Sequence, residues 1–132
     1  LLLSTFVADA HTVRAHAWLR AAADSLMVAD LARLEFADVL SRAVRSGRFT
    51  KADYDRLLRR FDAFCARQAA YSHEADDFLD AERFVRDLST KLSAPDALHL
   101  ASARKAGAAL ATFDRRLAEA AKAAAVAVEA LA

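Results

Sequence analysis

Helical stripes of apolar residues alternate along this chain with short apolar runs, and that alternation sets the expected order of elements. Leu1-Leu2-Leu3-Ser4-Thr5-Phe6-Val7-Ala8 is apolar enough to predict a buried strand or a helix start. Val13, His16, Ala17 and Leu19 or Arg20, with Trp18 beside them, predict an amphipathic helix over residues 10–22, ended by Ala23-Asp24. Residues 25–29 form an apolar run of strand length, and Asp30 has the side chain of an N-cap. The helix predicted over residues 31–45 places Ala32, Phe36, Val39, Leu40 and Ala43 on its core stripe. Glu35, Asp38 and Arg42 share another face, where Asp38 and Arg42 have the i, i+4 spacing of an ion pair. Ser46-Gly47 ends this helix, because glycine adopts the left-handed conformation of a helix terminus without steric cost.

Thr50 and Asp53 resemble a capping box and predict a helix through residue 67, followed by a short strand at 68–71. A further helix is expected over 73–88, with Ala75, Phe78, Leu79, Phe84 and Val85 inward. After a polar connection, Pro95 suits a first helical turn, Leu98, Ala101 and Ala103 carry the pattern on, and Gly107 closes it. Residues 108–113 read as a buried strand, Asp114 follows, and a helix over 115–124 leads to a weak last strand at 126–128. Because parallel strands need crossover helices, the alternation predicts an α/β fold of three layers, α/β/α, around a mainly parallel central sheet.

Composition narrows the class further. Of 132 residues 35 are alanine, against two glycines and one proline, which favours helices and argues against disorder or an all-β sandwich. The length suits one domain spanning residues 1–132. Nineteen Lys and Arg against eighteen Asp and Glu leave a formal charge of +1, so a nucleic-acid or membrane partner must use a local patch. The single cysteine, Cys65, cannot form an internal disulfide and reads as a small helical core residue, which fits a reducing cytoplasm. The apolar start is far shorter than the ~20 residues a spanning helix needs. No glycine-rich dinucleotide or phosphate loop is present.

Ligands of open parallel sheets bind beyond the carboxyl ends of the strands, which singles out three acids. Glu35 lies in the second turn of the helix after the 25–29 strand, Asp96 in the first turn after Pro95, and Asp114 directly behind the 108–113 strand. Each has a structural reading: a solvated or ion-paired surface acid for Glu35, a favourable charge at a helix N-terminus for Asp96, an N-cap for Asp114. Gathered at one sheet edge, three acids repel unless protonated or neutralised by a cation. An all-oxygen set suits Mg²⁺ or Mn²⁺ better than zinc.

Ser93-Ala94-Pro95-Asp96-Ala97-Leu98-His99-Leu100-Ala101, followed by Gly107-Ala108-Ala109-Leu110-Ala111-Thr112-Phe113-Asp114-Arg115-Arg116-Leu117, closely resembles the C-terminal half of PIN-domain proteins, especially VapC-type toxins. Leu31-Ala32-Arg33-Leu34-Glu35-Phe36-Ala37 resembles the helix that carries the family's second acid. The resemblance implies a metal-dependent endoribonuclease, the toxin of a type II toxin–antitoxin pair. Glu35, Asp96 and Asp114 would be its visible ligands for Mg²⁺ or Mn²⁺, with Glu35 also able to orient water or accept its proton. Thr112 would support the cluster by hydrogen bonding. A homodimer and a protein antitoxin (VapB-like) that covers the acidic groove are implied in the same way.

The family's first acid belongs to an Asp-x-Ser motif at the end of the first strand, which is not visible here. Residues 1–9 align best with the stretch after that motif, which places the Asp upstream of Leu1. A rival alignment sets Ser4 at the Asp position and implies a catalytically inert PIN-like module that binds RNA or protein. Arg115 and Arg116 stand where some relatives carry a further acid, and either contact substrate phosphates or cover the last helix. Arg42, Arg45, Arg48 and Lys51 form a second basic set. His99, three residues after Asp96, reads as a packed or supporting histidine. An unrelated receiver-type or phosphoryl-transfer domain is a third alternative, disfavoured by the match from Pro95 to Leu117.

Overall fold

The computed structural model describes residues 1–22 and 25–131, and these divide into two compact units, 2–71 and the chain from Ser72 onward. The first unit comprises α1 (Leu2–Phe6), α2 (Thr12–Ala22), β1 (Met27–Ala29), α3 (Asp30–Arg45), α4 (Lys51–Cys65) and β2 (Ala69–Tyr71). The second comprises α5 (Ala75–Arg86), α6 (Ala94–Ala106), β3 (Leu110–Thr112), α7 (Arg115–Ala123) and β4 (Val128–Ala130). The α/β class expected from the alternation holds, and every strand pair is parallel. The ladder consists of two two-stranded sheets, one per unit: β1 on β2, with Met27 opposite Ala69, and β3 on β4, with Leu110 opposite Val128.

In the first unit the apolar stripe of α3 does what its spacing predicts. Phe36, Leu40 and Ala43 are buried, and Phe36 and Leu40 join Val28, Leu57, Phe61, Phe64 and Cys65 in one core. Phe36 and Phe61 stack with centroids 3.9 Å apart, and Phe6 meets Phe36, Phe61 and Phe64 edge-on at 5.5 Å. Such aromatic pairs contribute roughly 0.5–1.5 kcal/mol each beyond their buried area. The opening residues are thus a helix, fixed by its one aromatic side chain. The Thr50–Asp53 capping box forms as expected: Thr50 Oγ1 accepts from Asp53 N while Asp53 accepts from Thr50 N. Gly47 ends the α3 turn at φ +74.

Several boundaries and faces differ from the sequence pattern. On α2 the buried residue is Ala15, with Trp18 and Leu19 half-buried, while Val13 is 82% exposed and His16 points outward to donate from Nε2 to the Thr5 carbonyl. The small alanine packs closely, so the apolar stripe read from larger residues was rotated away from the true one. The expected stop at Ala23-Asp24 lies outside the described residues. Asp30 is the first helical residue, and Ala29 is the N-cap without a side-chain bond.

On α5, Phe84 is half-buried under Arg104 as expected, but other apolar residues face outward. Asp77 and Ala81 are buried, whereas Phe78, Leu79 and Val85 are 57, 53 and 40% exposed. Polar ties connect α5 and the residues just before it to α6. Arg104 reaches Asp80 at 2.8 Å, Lys105 reaches Glu74 at 2.7 Å, and Ser102 Oγ lies 2.9 Å from His73 Nε2. Since Ser102 donates its hydroxyl to the Leu98 carbonyl, His73 is the donor in that last bond. The last strand begins two residues later than expected, because Val126 N still bonds Ala121 O as the helix closes.

Candidate active site

Asp96 is the third residue of α6 and belongs to its cap. Ser93, the N-cap, accepts from Asp96 N at 3.3 Å and donates its hydroxyl to Asp96 Oδ2 at 2.5 Å. Oδ1 of Asp96 accepts no hydrogen bond among the described residues. Asp114 is the N-cap of α7, and its Oδ1 accepts from Arg116 N at 2.8 Å and Leu117 N at 3.1 Å. Its Oδ2 accepts none among the described residues. Thr112, buried at the end of β3, accepts from Asp114 N at 3.0 Å and fixes the backbone on which that carboxylate stands. Capping therefore occupies one oxygen of each aspartate and leaves the other open.

Chain geometry returns these two acids to one end of their unit. The 13 residues of α6 rise roughly 20 Å at ~1.5 Å each. Gly107, left-handed at φ 62, reverses the chain, and extended backbone to Asp114 covers a similar length at ~3.3 Å per residue. β3 and α7 both pack on α6, so the returning chain directs the C-terminal end of β3 back toward the N-terminal end of α6.

Glu35 sits on α3 of the other unit, six residues past the end of β1, and is half-buried. Its neighbour Asp38 forms the expected pair with Arg42 at 3.0 Å. Neither unit, within its described residues, gathers three or more His, Cys, Asp or Glu side chains around one point. Of the three acids, Asp96 and Asp114 come from one unit and Glu35 from the other.

Arg115 and Arg116 are exposed in the first turn of α7 and form no ion pair among the described residues. Six other arginines do: Arg33, Arg42, Arg56, Arg83, Arg86 and Arg104. A cation in a first helical turn opposes the helix dipole, so fold stability alone does not account for two of them there. Ser4, the rival position for the first acid, is buried in the middle of α1, with its hydroxyl on Asp9 Oδ2 at 2.7 Å. It does not stand at the end of a strand.

A PIN domain family model matches residues 2–123, nearly the whole chain. The chain belongs to the PIN domain family. The match runs through both units and takes in Glu35, Asp96 and Asp114. PIN domains are generally nucleases, with a nucleic-acid-binding role and typically a divalent metal. Comparison with curated proteins gives no match. In this PIN domain no helix among the described residues is long and apolar enough to cross a membrane.

The motif around Asp96 and Asp114 was legible in the sequence, but the capping duties of Ser93 and Thr112 were not assigned bond by bond. The Ser-x-x-Asp and Thr-x-Asp spacings are the signals that carry them.

Proposed function

We propose that this PIN domain is a metal-dependent endoribonuclease that hydrolyses RNA phosphodiester bonds, the VapC-type toxin of a type II toxin–antitoxin pair. The observation that carries the reading is the Asp96–Asp114 arrangement. Two carboxylates at one end of a unit are each fixed by capping bonds, and each keeps one oxygen open. The donor set is all oxygen and anionic, which fits a hard cation such as Mg²⁺ or Mn²⁺. Asp96 and Asp114 would hold that ion, directly or through water, and the family motif assigns Glu35 to the same task.

When bound, the metal supplies a water of lowered pKa and offsets charge building on the phosphate. The protein's own groups do the rest. Glu35 orients the attacking water or takes its proton. Arg115 and Arg116 draw the polyanionic strand to the acidic end, where unscreened carboxylates would repel it. Ser4 is committed to α1 and Asp9 and supplies no metal-holding group to the set. A homodimer, a cytoplasmic setting and a protein antitoxin that covers the acidic groove complete the proposal.

The test is cleavage of a labelled RNA pool by the full-length, antitoxin-free protein with Mg²⁺ or Mn²⁺. EDTA and Asp96→Asn, with folding followed by circular dichroism, serve as controls. Metal-dependent cutting lost in both controls supports the nuclease and puts Asp96 in its site. A folded protein that leaves every RNA uncut with either metal overturns it in favour of an inert binding module.

A further inference from the structure

A cavity of about 420 Å³ opens in the first unit between α1 and the C-terminal end of α3, within the range of about 300–1,000 Å³ typical of small-ligand sites. Val7, Val39 and Phe49 give it apolar walls, while Arg42, Arg48 and Asp9 also line it. Two features show that the wall is set in advance. The Ala43 carbonyl accepts from both Arg48 N and Phe49 N, at 2.9 and 3.1 Å, and so folds the Arg48-Phe49 pair back over the last turn of α3. Gly47 at φ +74 makes that fold-back possible, and the Thr50 cap of α4 fixes its far side. On the opposite wall Asp9 is held by Ser4 Oγ, His11 N and Thr12 Oγ1.

The charges indicate what kind of ligand enters. Arg48 makes no ion pair among the described residues, and its guanidinium lies 5.6 Å from the Phe49 ring centroid. Arg42 shares its charge with Asp38 on the helix surface. Arg48 is free to pair with an anionic group on a guest, whereas a bare anion would meet the Asp9 carboxylate and apolar walls. A guest with a flat apolar body and one attached negative charge suits both halves. A nucleotide has that form, because bases stack on aromatic rings and guanidinium planes while the phosphate takes the cation.

Helix geometry links this cavity to Glu35. Seven residues separate Glu35 from Arg42, two turns of α3, so both lie on one face about 10 Å apart along the axis. A strand passing Glu35 and following α3 arrives at the cavity within a few nucleotides. We propose that this cavity holds one unpaired nucleotide of the RNA strand, its base against Phe49 and its phosphate at Arg48 and Arg42. It is a positioning subsite away from the reacting phosphate. The inference rests on the nuclease reading and names how that substrate is gripped.

The experiment measures binding of a labelled eight-nucleotide single-stranded RNA to the full-length protein in EDTA, where no cutting occurs, across a salt series. Arg48→Ala is the first variant, since the side chain is exposed and its removal leaves the fold intact. Phe49→Leu is the second, keeping the apolar volume while removing the aromatic face. Arg48→Ala is expected to weaken binding and to lower the slope of log K against log salt by about 0.7, the value for one phosphate contact on a single strand. Phe49→Leu is expected to weaken binding about fivefold or more without changing that slope. With metal present, Arg48→Ala should raise KM and leave kcat unchanged.

Parent-like affinity and salt slope in both variants overturn the subsite, and continued metal-dependent cleavage then leaves the nuclease reading standing. Loss of binding in the variants, in a protein that never cuts, supports the subsite and removes the nuclease. If instead the variants bind RNA normally but lose a co-expressed protein partner, the cavity is a protein dock and the proposal fails.

Discussion

At the scale of single residues, Asp114 caps α7 with one carboxylate oxygen, which leaves the other uncommitted for the proposed metal role. One oxygen satisfies two amide groups at the start of α7, which otherwise lack partners, and the other faces outward as a free acceptor. A residue read as a mere cap and a residue read as a ligand are the same side chain. Backbone conformation supplies a sharper single-residue prediction. Gly107 and Ala125 both follow helix ends with φ near +60, at 62 and 58, and only one of them is glycine. A Cβ at Gly107 meets nothing within 4 Å, so crowding is absent and the cost of adding it is conformational. Gly107→Ala should therefore destabilise by about 1–2 kcal/mol, and Ala125→Gly should stabilise by a similar or smaller amount. Urea midpoints of the two variants, moving in opposite directions, are the measurement. Both helix ends were legible in the sequence, but the left-handed conformation of Ala125 was not, because alanine carries no signal of a left-handed turn.

At the scale of elements, α7 begins against its own electrostatics. Arg115 and Arg116 occupy the turn where the helix dipole favours acids, each costing roughly 0.3–1 kcal/mol relative to a neutral side chain. Arg116→Ala should accordingly raise stability slightly while lowering affinity for RNA. Thermal unfolding and RNA-binding titrations on the same sample separate the two effects. A loss of stability without change in RNA binding would return the arginines to a purely structural role. The faces of α2 and α5 illustrate where periodicity misleads. Spacing located both helices and set Leu19 and Phe84 inward, but Ala15 is the buried residue of α2 and Asp77 is buried on α5 while Phe78 and Leu79 are exposed. The polar ties of α5 and the residues just before it run to Ser102, Arg104 and Lys105 of α6, roughly thirty residues away along the chain in two of the three cases. No local window contains that information.

At the scale of the molecule, the apolar residues that α5 leaves exposed support the proposed homodimer. Phe78, Leu79 and Val85 are 57, 53 and 40% exposed. The double variant Phe78→Glu with Leu79→Glu should sediment as a monomer at concentrations where the parent is dimeric, with its helix content retained. Unchanged sedimentation would place the dimer contact elsewhere.

The response to acid is also a property of the whole chain. Arg104, through a hydrogen bond assisted by its charge, holds the Asp80 carboxyl below its ordinary value of 3.8. Hydroxyls of Ser4, Thr50 and Ser89 do the same, foremost among several groups, for Asp9, Asp53 and Asp87. A carboxylate with a depressed folded value contributes stability that is complete above its unfolded value and is lost as pH falls through the folded one. Thermal midpoints should therefore stay level down to about pH 4 and fall below it, with Asp80→Asn softening the acid limb. Destabilisation beginning near neutral pH would contradict this assignment.

Sequence alone determined what short-range physics governs in this PIN domain. Helical spacing and signals such as the Thr50–Asp53 cap, Ser46-Gly47 and Pro95 act within one or two turns, so they fixed which segments are helical and nearly where each stops. The motif of Asp96 and Asp114 was likewise written in consecutive residues, and with Glu35 it carried the family. Tertiary structure decided everything that depends on distant partners. It chose the inward face of α2 and α5, the pairing register of β3 with β4, and the return of α6 and β3 that brings Asp96 and Asp114 to one end. It also formed the Arg48–Phe49 cavity against α1. Burial and charge pairing act through space between segments far apart in the chain, and the periodicity of any one segment does not contain them.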